Sequence, residues 1–404
     1  MVNNLIKELL AVKRIKDEIY WVGIKDWEIK RFHGEEYSTH RGSTYNSYLI
    51  KDQKIALVDT VWTPFHEGFL EELEKEIGLK NISLVVINHT EQDHAGSLAY
   101  LMERIPDVPI YCTKNGAMMI KKHFHRDWNF NVVKTGDSVE LGKNRLVFVE
   151  MTMLHWPDTM ATYVAGANVL LSNDAFGQHY VSPYLFNDQV DQGELYQEAI
   201  KYYANILTPF SRLVKAKIKE ILDLNLSIEM IAPSHGIIWR DNPLQIVQKY
   251  DQWAGDYNEG TVAVIYDTMW GATRKMALAI ARGLENKGVG AKLLNVGKSD
   301  KNDIITEVFK ARGVIVGSST INKGILNSTA SLLEMIKGLQ FKKKLGASFG
   351  SYGWSGESVK IIQESLKESG IEVVQEGIKM QYDPEPEDLK ACEAFGEAFA
   401  GKMQ

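Results

Sequence analysis

Cysteine is scarce in these 404 residues: Cys112 and Cys392 are the only two, and they lie far apart. That excludes a disulfide framework, and no C-x-x-C pair is present for a metal or a dithiol couple. A reducing compartment, the cytoplasm, is the expectation. Long apolar runs are missing too: none approaches the ~20 residues of a membrane span. The opening stretch, MVNNLIKELLAVKRIKDEIY, is charged throughout, which reads against a secretory signal. An excess of positive charge is also absent. The net charge of -6 argues against a nucleic-acid partner, because phosphate binding rewards a basic face. There is no internal repeat and no low-complexity tract. The remaining composition, 45% hydrophobic and 24% charged, is that of a globular chain of two-domain length. Without paired cysteines, any metal must be held by imidazole and carboxylate, and any redox cofactor is expected to be non-covalent.

The two halves of the chain have different rhythms. From Thr261 the apolar runs TVAVIYD, AKLLNV, GVIVGSS, KLGASFG and IEVVQ alternate with segments of helical spacing, the last starting near Pro386. Five strands with intervening helices predict a doubly wound parallel sheet. The first ~250 residues predict a mixed α/β sandwich. Its strands are TYNSYLI and KIALVDT as a hairpin, then SLVVINH, RLVFVEM, NVLLSND and IEMIAPS. The polar segment DQWAGDYNEG is the junction, dividing the chain into domains 1–255 and 256–404.

Four distant places share one plan, an apolar strand that runs into His or Asp. Ile87-Asn88 leads into His89-x-Glu91-x-Asp93-His94, Phe148-Val149 towards His155, Leu170-Leu171-Ser172-Asn173 into Asp174, and Ile231-Ala232-Pro233-Ser234 into His235. Loops at the carboxyl ends of strands converge on one crevice. A single histidine after a strand is usually a loop or core residue. Two imidazoles and two carboxylates within six positions are different, because buried charges need partners. A metal site is the expectation. His123 and His125 in KKHFHRD read as a solvated helix face, His40 and His179 as structural, and Trp156 as packing.

The H-x-E-x-D-H run with later His, Asp and His resembles the metallo-β-lactamase superfamily, with one departure: Glu91 stands where zinc enzymes carry a second histidine. A harder, anionic oxygen donor in a mixed His/carboxylate set suits iron. That departure, joined to a flavodoxin-like second half, resembles the flavodiiron proteins over essentially the whole chain, through HTEQDHAG, LHWPDT, SNDAFGQH and APSHG. The resemblance implies an N-terminal αββα sandwich and a C-terminal flavodoxin-like doubly wound sheet. It implies one iron on His89, Glu91 and His155, a second on Asp93, His94 and His235, and Asp174 bridging them. In some relatives the histidine matching His94 turns away from the metal, so both positions stay open for it. His33 and Tyr202 match residues that line the pocket above the irons, and one of them is expected to supply a proton.

The loop Asp267-Thr268-Met269-Trp270-Gly271-Ala272-Thr273 joins a strand to a helix N-terminus, where N–H groups, hydroxyls and the helix dipole suit a phosphate. It has neither G-x-G-x-x-G nor a Walker lysine, so dinucleotide and triphosphate readings are weak. It resembles the FMN-phosphate loop of flavodoxins. Ser319, Thr320, Ile321, Asn322 and Lys323, then Ser351, Tyr352, Gly353, Trp354 and Gly356, match the two loops that hold the flavin ring, with Ser319 where relatives usually carry Pro. The resemblance therefore implies FMN and a diiron centre reducing dioxygen to water, nitric oxide to nitrous oxide, or both. It implies a head-to-tail homodimer, possibly a dimer of dimers, in which the FMN of one subunit serves the irons of its neighbour. With no C-x-x-C pairs in these residues, a separate rubredoxin is the expected electron donor, a reduced deazaflavin coenzyme the next, and NAD(P)H the last. The alternative is a zinc hydrolase of the lactamase fold with a flavodoxin-like accessory domain.

Overall fold

The computed structural model describes residues 12–403. The reading of the N-terminus as lacking a signal sequence falls mainly on residues 1–11, outside the described residues. Contacts divide the chain into two compact units: residues up to Tyr202 with Arg212–Asp251, and Tyr203–Ser211 with Gln252 onward.

The first unit holds two facing sheets. The larger runs, in spatial order, Lys13–Lys16, Ile19–Trp21, Tyr48–Ile50, Ile55–Val58, Ile82–Val86, Ile110–Cys112 and Phe130–Val132. The smaller runs Ser138–Glu140, Arg145–Glu150, Met160–Val164, Val169–Asn173 and Met230–Pro233. Trp21, Tyr48, Val58 and Val86 from the one pack with Phe148, Met160, Leu171 and Ala232 from the other in a single core. Strands such as Met160–Val164 and Val169–Asn173 are buried along their whole length, which is why they read as unbroken apolar runs. The expected hairpin forms, Tyr48–Ile50 pairing antiparallel with Ile55–Val58. TYNSYLI, however, is not one strand. It breaks at Asn46, so that Ser43–Tyr45 pairs with Ile24–Asp26 instead. The cause is the Asn46 side chain, which accepts from Trp21 Nε1 at 2.7 Å and donates to Pro233 O at 2.8 Å and Gly236 O at 3.1 Å. It stitches the first sheet to the loop that carries His235.

The second unit is a parallel sheet in the order Ala291–Asn295, Val262–Tyr266, Gly313–Gly317, Leu345–Tyr352, then Glu372–Val373. Ile378–Gln381 is a sixth strand, not anticipated, that pairs with the far end of Leu345–Tyr352. Its neighbour Glu372–Val373 covers only residues 345 and 346, and the two short pieces share one long edge. The helices fall where the spacing predicts. Ala272–Asn286 buries Met276, Ile280 and Leu284, and Pro386–Gly401 begins with Pro in its first turn and a Glu385/Asp388 capping box. No helix among the described residues is long and apolar enough to cross a membrane.

Candidate functional site

In the first unit the four strand-end segments meet. Asn88, just past strand Ile82–Val86, is clamped: its N–H and amide donate to Asp59 at 2.7 and 3.2 Å, and its Oδ1 accepts from Thr162 at 2.7 Å. Held there, the chain enters the short helix Gln92–Ala95, which buries Asp93 and His94. His155 comes from the turn between Arg145–Glu150 and Met160–Val164, Asp174 from the end of Val169–Asn173, and His235 from the end of Met230–Pro233. A hydrogen bond of 3.1 Å from Asn173 to Ser234 ties the last two loops together.

The donors form two groups. Donor atoms of His89, Glu91, His155 and Asp174 lie within 4.8 Å of one another, as do those of Asp93, His94 and His235. In the first, His89 Nε2 is 3.2 Å from Glu91 Oε2 and 3.7 Å from Asp174 Oδ2, and His155 Nε2 is 3.5 and 3.2 Å from the same two oxygens. In the second, His94 Nε2 and His235 Nε2 are 3.2 and 2.9 Å from Asp93 Oδ2, and 2.9 and 3.6 Å from Asp174 Oδ1. Asp174 thus turns one oxygen to each group. Around a cation with bonds of about 2.1 Å, tetrahedral or octahedral donors lie about 3.0–3.4 Å apart, close to these edges. Asp93 Oδ1, both oxygens of Asp174 and His94 Nε2 are buried without a hydrogen bond. Orphaned atoms of this kind, all converging, fit two metal ions and fit no apolar ligand.

The electrostatics say the same. Burial would push the His89 pKa down, but the Asp158 hydrogen bond and then Glu91 outweigh it and hold it well above the usual value. His94 follows the same logic against Asp174 and Asp93, reaching about 9. Burial would raise Asp174, yet the charges of His94 and the neighbouring imidazoles hold it well below the carboxylate range. Without a cation at the centre, only protonated imidazoles can balance these carboxylates. A metal needs the same imidazoles neutral, so proton and metal compete for one place.

A cavity of about 600 Å³ opens over this cluster, lined by Phe32, His33, Trp62, Glu91, Met119 and Trp156 among others. His33 Nε2 lies 3.1 Å from Glu91 Oε1. Burial lowers its pKa, but the Glu91 hydrogen bond and charge raise it further than that, above the usual value. Tyr202 is not among the lining residues. It is buried, its ring 5.3 Å from that of His179. His179 is more than a core histidine: its ring lies 4.8 Å from that of His235, its Nδ1 meets Ser43 Oγ at 2.7 Å, and its Nε2 is buried without a partner. His123 is exposed, as the sequence suggests, but it also borders the cavity and touches Gln92. Trp156 packs edge-on to His89 at 5.0 Å.

In the second unit, three loops meet at the carboxyl ends of the strands. Thr268 Oγ1 accepts from Gly271 N at 3.0 Å, and Gly271 has φ +96°, with open space where a Cβ would point. Thr273 Oγ1 lies 2.9 Å from Ser319 Oγ and 2.8 Å from Ser351 Oγ, so one hydroxyl from each loop joins a buried triad. Asn322 and Lys323 both take positive φ, forming the two-residue turn of a small hairpin between Thr320–Ile321 and Gly324–Ile325. A Cβ on Gly350 would sit 2.5 Å from Ser318 O and 2.7 Å from Ser358 Oγ, which explains glycine there. Met269 and Tyr382 stand partly in solvent, and Trp270 and Trp354 are 96% and 89% exposed. A polar cradle at a helix N-terminus beside unpartnered aromatics suits a planar ring carrying a phosphate.

Family models agree with both halves: an "ODP family beta lactamase" model matches residues 44–236 and a flavodoxin model residues 264–396. The chain is 52% identical over 390 residues to the anaerobic nitric oxide reductase flavorubredoxin of Klebsiella pneumoniae, covering 96% of this chain and 81% of that protein. Among solved structures, the rubredoxin:oxygen oxidoreductase of Desulfovibrio gigas matches with a TM-score of 0.94 at 36% identity, over 97% of this chain and 98% of that one. The flavodiiron protein of Giardia intestinalis matches at 0.92 and 31%, over 98% and 97%. The chain belongs to the flavodiiron proteins. Its cofactors are FMN and a pair of non-haem irons, and the zinc-hydrolase alternative falls.

Several residues around the centre of this flavodiiron protein escaped the sequence reading. Asp158 Oδ2 accepts from Thr90 N at 2.8 Å and lies 3.2 Å from His89 Nδ1. Thr44 O lies 2.6 Å from His235 Nδ1. Ser43 backs His179. For Asp158 a signal existed, a carboxylate three residues after His155 in HWPD. For Thr44 none did, because the contact is made by a backbone oxygen.

Proposed function

We propose that this flavodiiron protein reduces nitric oxide to nitrous oxide, with dioxygen reduction to water as a second reaction. In this reading His89, Glu91 and His155 hold one iron, Asp93, His94 and His235 the other, and Asp174 bridges them. The single observation that carries it is that the two donor groups share Asp174 through opposite oxygens. When bound, the irons and FMN supply the electrons and the binding of the gas. The chain's own residues do the rest. Phe32, Trp62, Met119 and Trp156 give the cavity apolar walls suited to an uncharged diatomic. His33 lines the cavity with Nε2 3.1 Å from Glu91 Oε1, and is the residue placed to supply a proton. Greater identity to a nitric oxide reductase than to an oxygen reductase, 52% against 36%, supports the order of the two gases.

The loops 268–273, 319–323 and 351–356 hold FMN, with the division between the two functions near residue 255. The exposed Trp270 and Trp354 support a head-to-tail homodimer in which they are covered by a second copy. A rubredoxin in the cytoplasm is the donor. The test is anaerobic: the holoprotein is reduced by rubredoxin or by reduced deazaflavin, exposed to one gas at a time, and turnover quantified. Faster nitrous oxide formation with rubredoxin is expected. No oxidation by either gas sinks the reading.

A further inference from the structure

The two halves of the metal centre have matching direct donors. Each offers two imidazoles, one carboxylate of its own and one oxygen of Asp174. They differ one layer out. His89 turns Nδ1 to a carboxylate, Asp158, at 3.2 Å, and both side chains are wholly buried. His235 turns Nδ1 to a neutral carbonyl, Thr44 O, at 2.6 Å. An imidazole that donates to a buried carboxylate has its tautomer set and its other nitrogen made more basic. We propose that Asp158 is a positioning residue that makes the two irons unequal: through His89 it stabilises the ferric state of the iron on the His89, Glu91, His155 side. This rests on the ligand assignment proposed above.

Two other charges bear on the comparison. His33 pulls the opposite way, meeting Glu91 Oε1 at 3.1 Å, but its side chain is 33% exposed, so water screens it. Asp59 is buried, but its hydrogen bonds go to Asn88 and not to a ligand ring. The Asp158 pair has neither weakness. Asp158 also sits three residues after His155, so one carboxylate couples the two loops that supply His89 and His155. With the irons bound, the Asp93, His94, His235 side would be the easier of the two to reduce by one electron, with no bond broken and Asp158 keeping its charge.

Asp158→Asn is the selective test, because Oδ2 alone accepts from both His89 and Thr90, and a carboxamide oxygen can do the same. The full flavin- and iron-loaded chain is titrated reductively and the half-reduced pair followed by electron paramagnetic resonance. The lower iron couple is expected to rise by about a tenfold change in its ferrous-to-ferric ratio, about 59 mV for one electron. The other couple stays, so the half-reduced signal shrinks. Thr113→Val removes the 2.9 Å hydrogen bond to Asp158 O without changing charge, and should leave the spacing of the couples as it was. Two couples that move together, or not at all, in an Asp158→Asn protein with full iron overturn the proposal. A second measurement needs no variant. Crystals of the metal-depleted, flavin-loaded chain are given one zinc ion per chain and read by anomalous scattering. Zinc among His89, Glu91 and His155 is expected. Zinc first among Asp93, His94 and His235 overturns the inference, and zinc at neither place overturns the ligand assignment itself.

Discussion

The two sites of this chain are built on opposite plans. The metal centre in the first unit is buried and crowded with like groups: Asp93, His94, His89, Asp174 and His235 are each 5% exposed or less. The flavin cradle in the second unit is shallow, made of hydroxyls and backbone N–H groups, with two tryptophans almost fully in solvent. A buried set of carboxylates and imidazoles repels itself unless a proton or a cation sits among them. It must therefore be clamped by Asn88, Asp158, Thr44 and their partners. The cradle bears no such charge and needs only a backbone that turns correctly.

The most damaging change on the metal side is Asp174→Ala, which removes a donor from both groups at once. Iron is expected to fall from about two per chain to near none, with FMN retained; metal analysis beside a flavin spectrum decides it, and full iron would refute the bridging role. On the other side, Thr273→Val deletes the phosphate-loop hydroxyl that joins the triad. Loss of a hydrogen bond to a charged group predicts FMN binding weakened about 10- to 100-fold, read by fluorescence titration, with iron unchanged. If either variant empties both sites, the two are not built independently.

The third expectation is a pH dependence confined to the metal side. In the metal-free chain His94 has a pKa raised to about 9 and His89 is also raised. Protons thus occupy the His94 ring below about pH 9, with His89 shifted the same way, and ferrous ion must displace them, so metal affinity should strengthen as pH rises towards 9, with proton release visible in an unbuffered titration. Stability runs the other way in the metal-free chain. A histidine raised above its unfolded value of 6.5 contributes stability that is complete below pH 6.5 and lost as pH rises through about 9. Melting temperature should fall over that window without metal and not with it. The smallest effect is expected at Tyr202, which lies behind His179 and outside the cavity lining. Tyr202→Phe should slow turnover by no more than about two- to tenfold, the worth of one neutral hydrogen bond. A larger loss would place its hydroxyl in the reaction.

Much of this was legible in the chain. Strands 82–86, 169–173 and 230–233 announce themselves as apolar runs, and their last residues lead straight to metal donors. The helices of the second unit follow their spacing. The strands Lys13–Lys16, Ile19–Trp21 and Ile24–Asp26 did not show, being three or four residues long and half-polar. Asn46 looked like one more strand residue, because nothing local says that its amide reaches Pro233, 187 positions away.

By itself the sequence determined the inventory of the site: the apolar strands that lead to it, which loops end in imidazole or carboxylate, and, through Glu91, that the donor set is rich in oxygen. Donor identity is a property of single residues, and strand ends are a property of neighbours. Only the tertiary structure decided the pairing: that Asp174 faces one oxygen to each group, that His89 is backed by a carboxylate and His235 by a carbonyl, and that His179 stands against the centre. Each of those is a contact between segments remote in the chain, set by how two sheets close on one core.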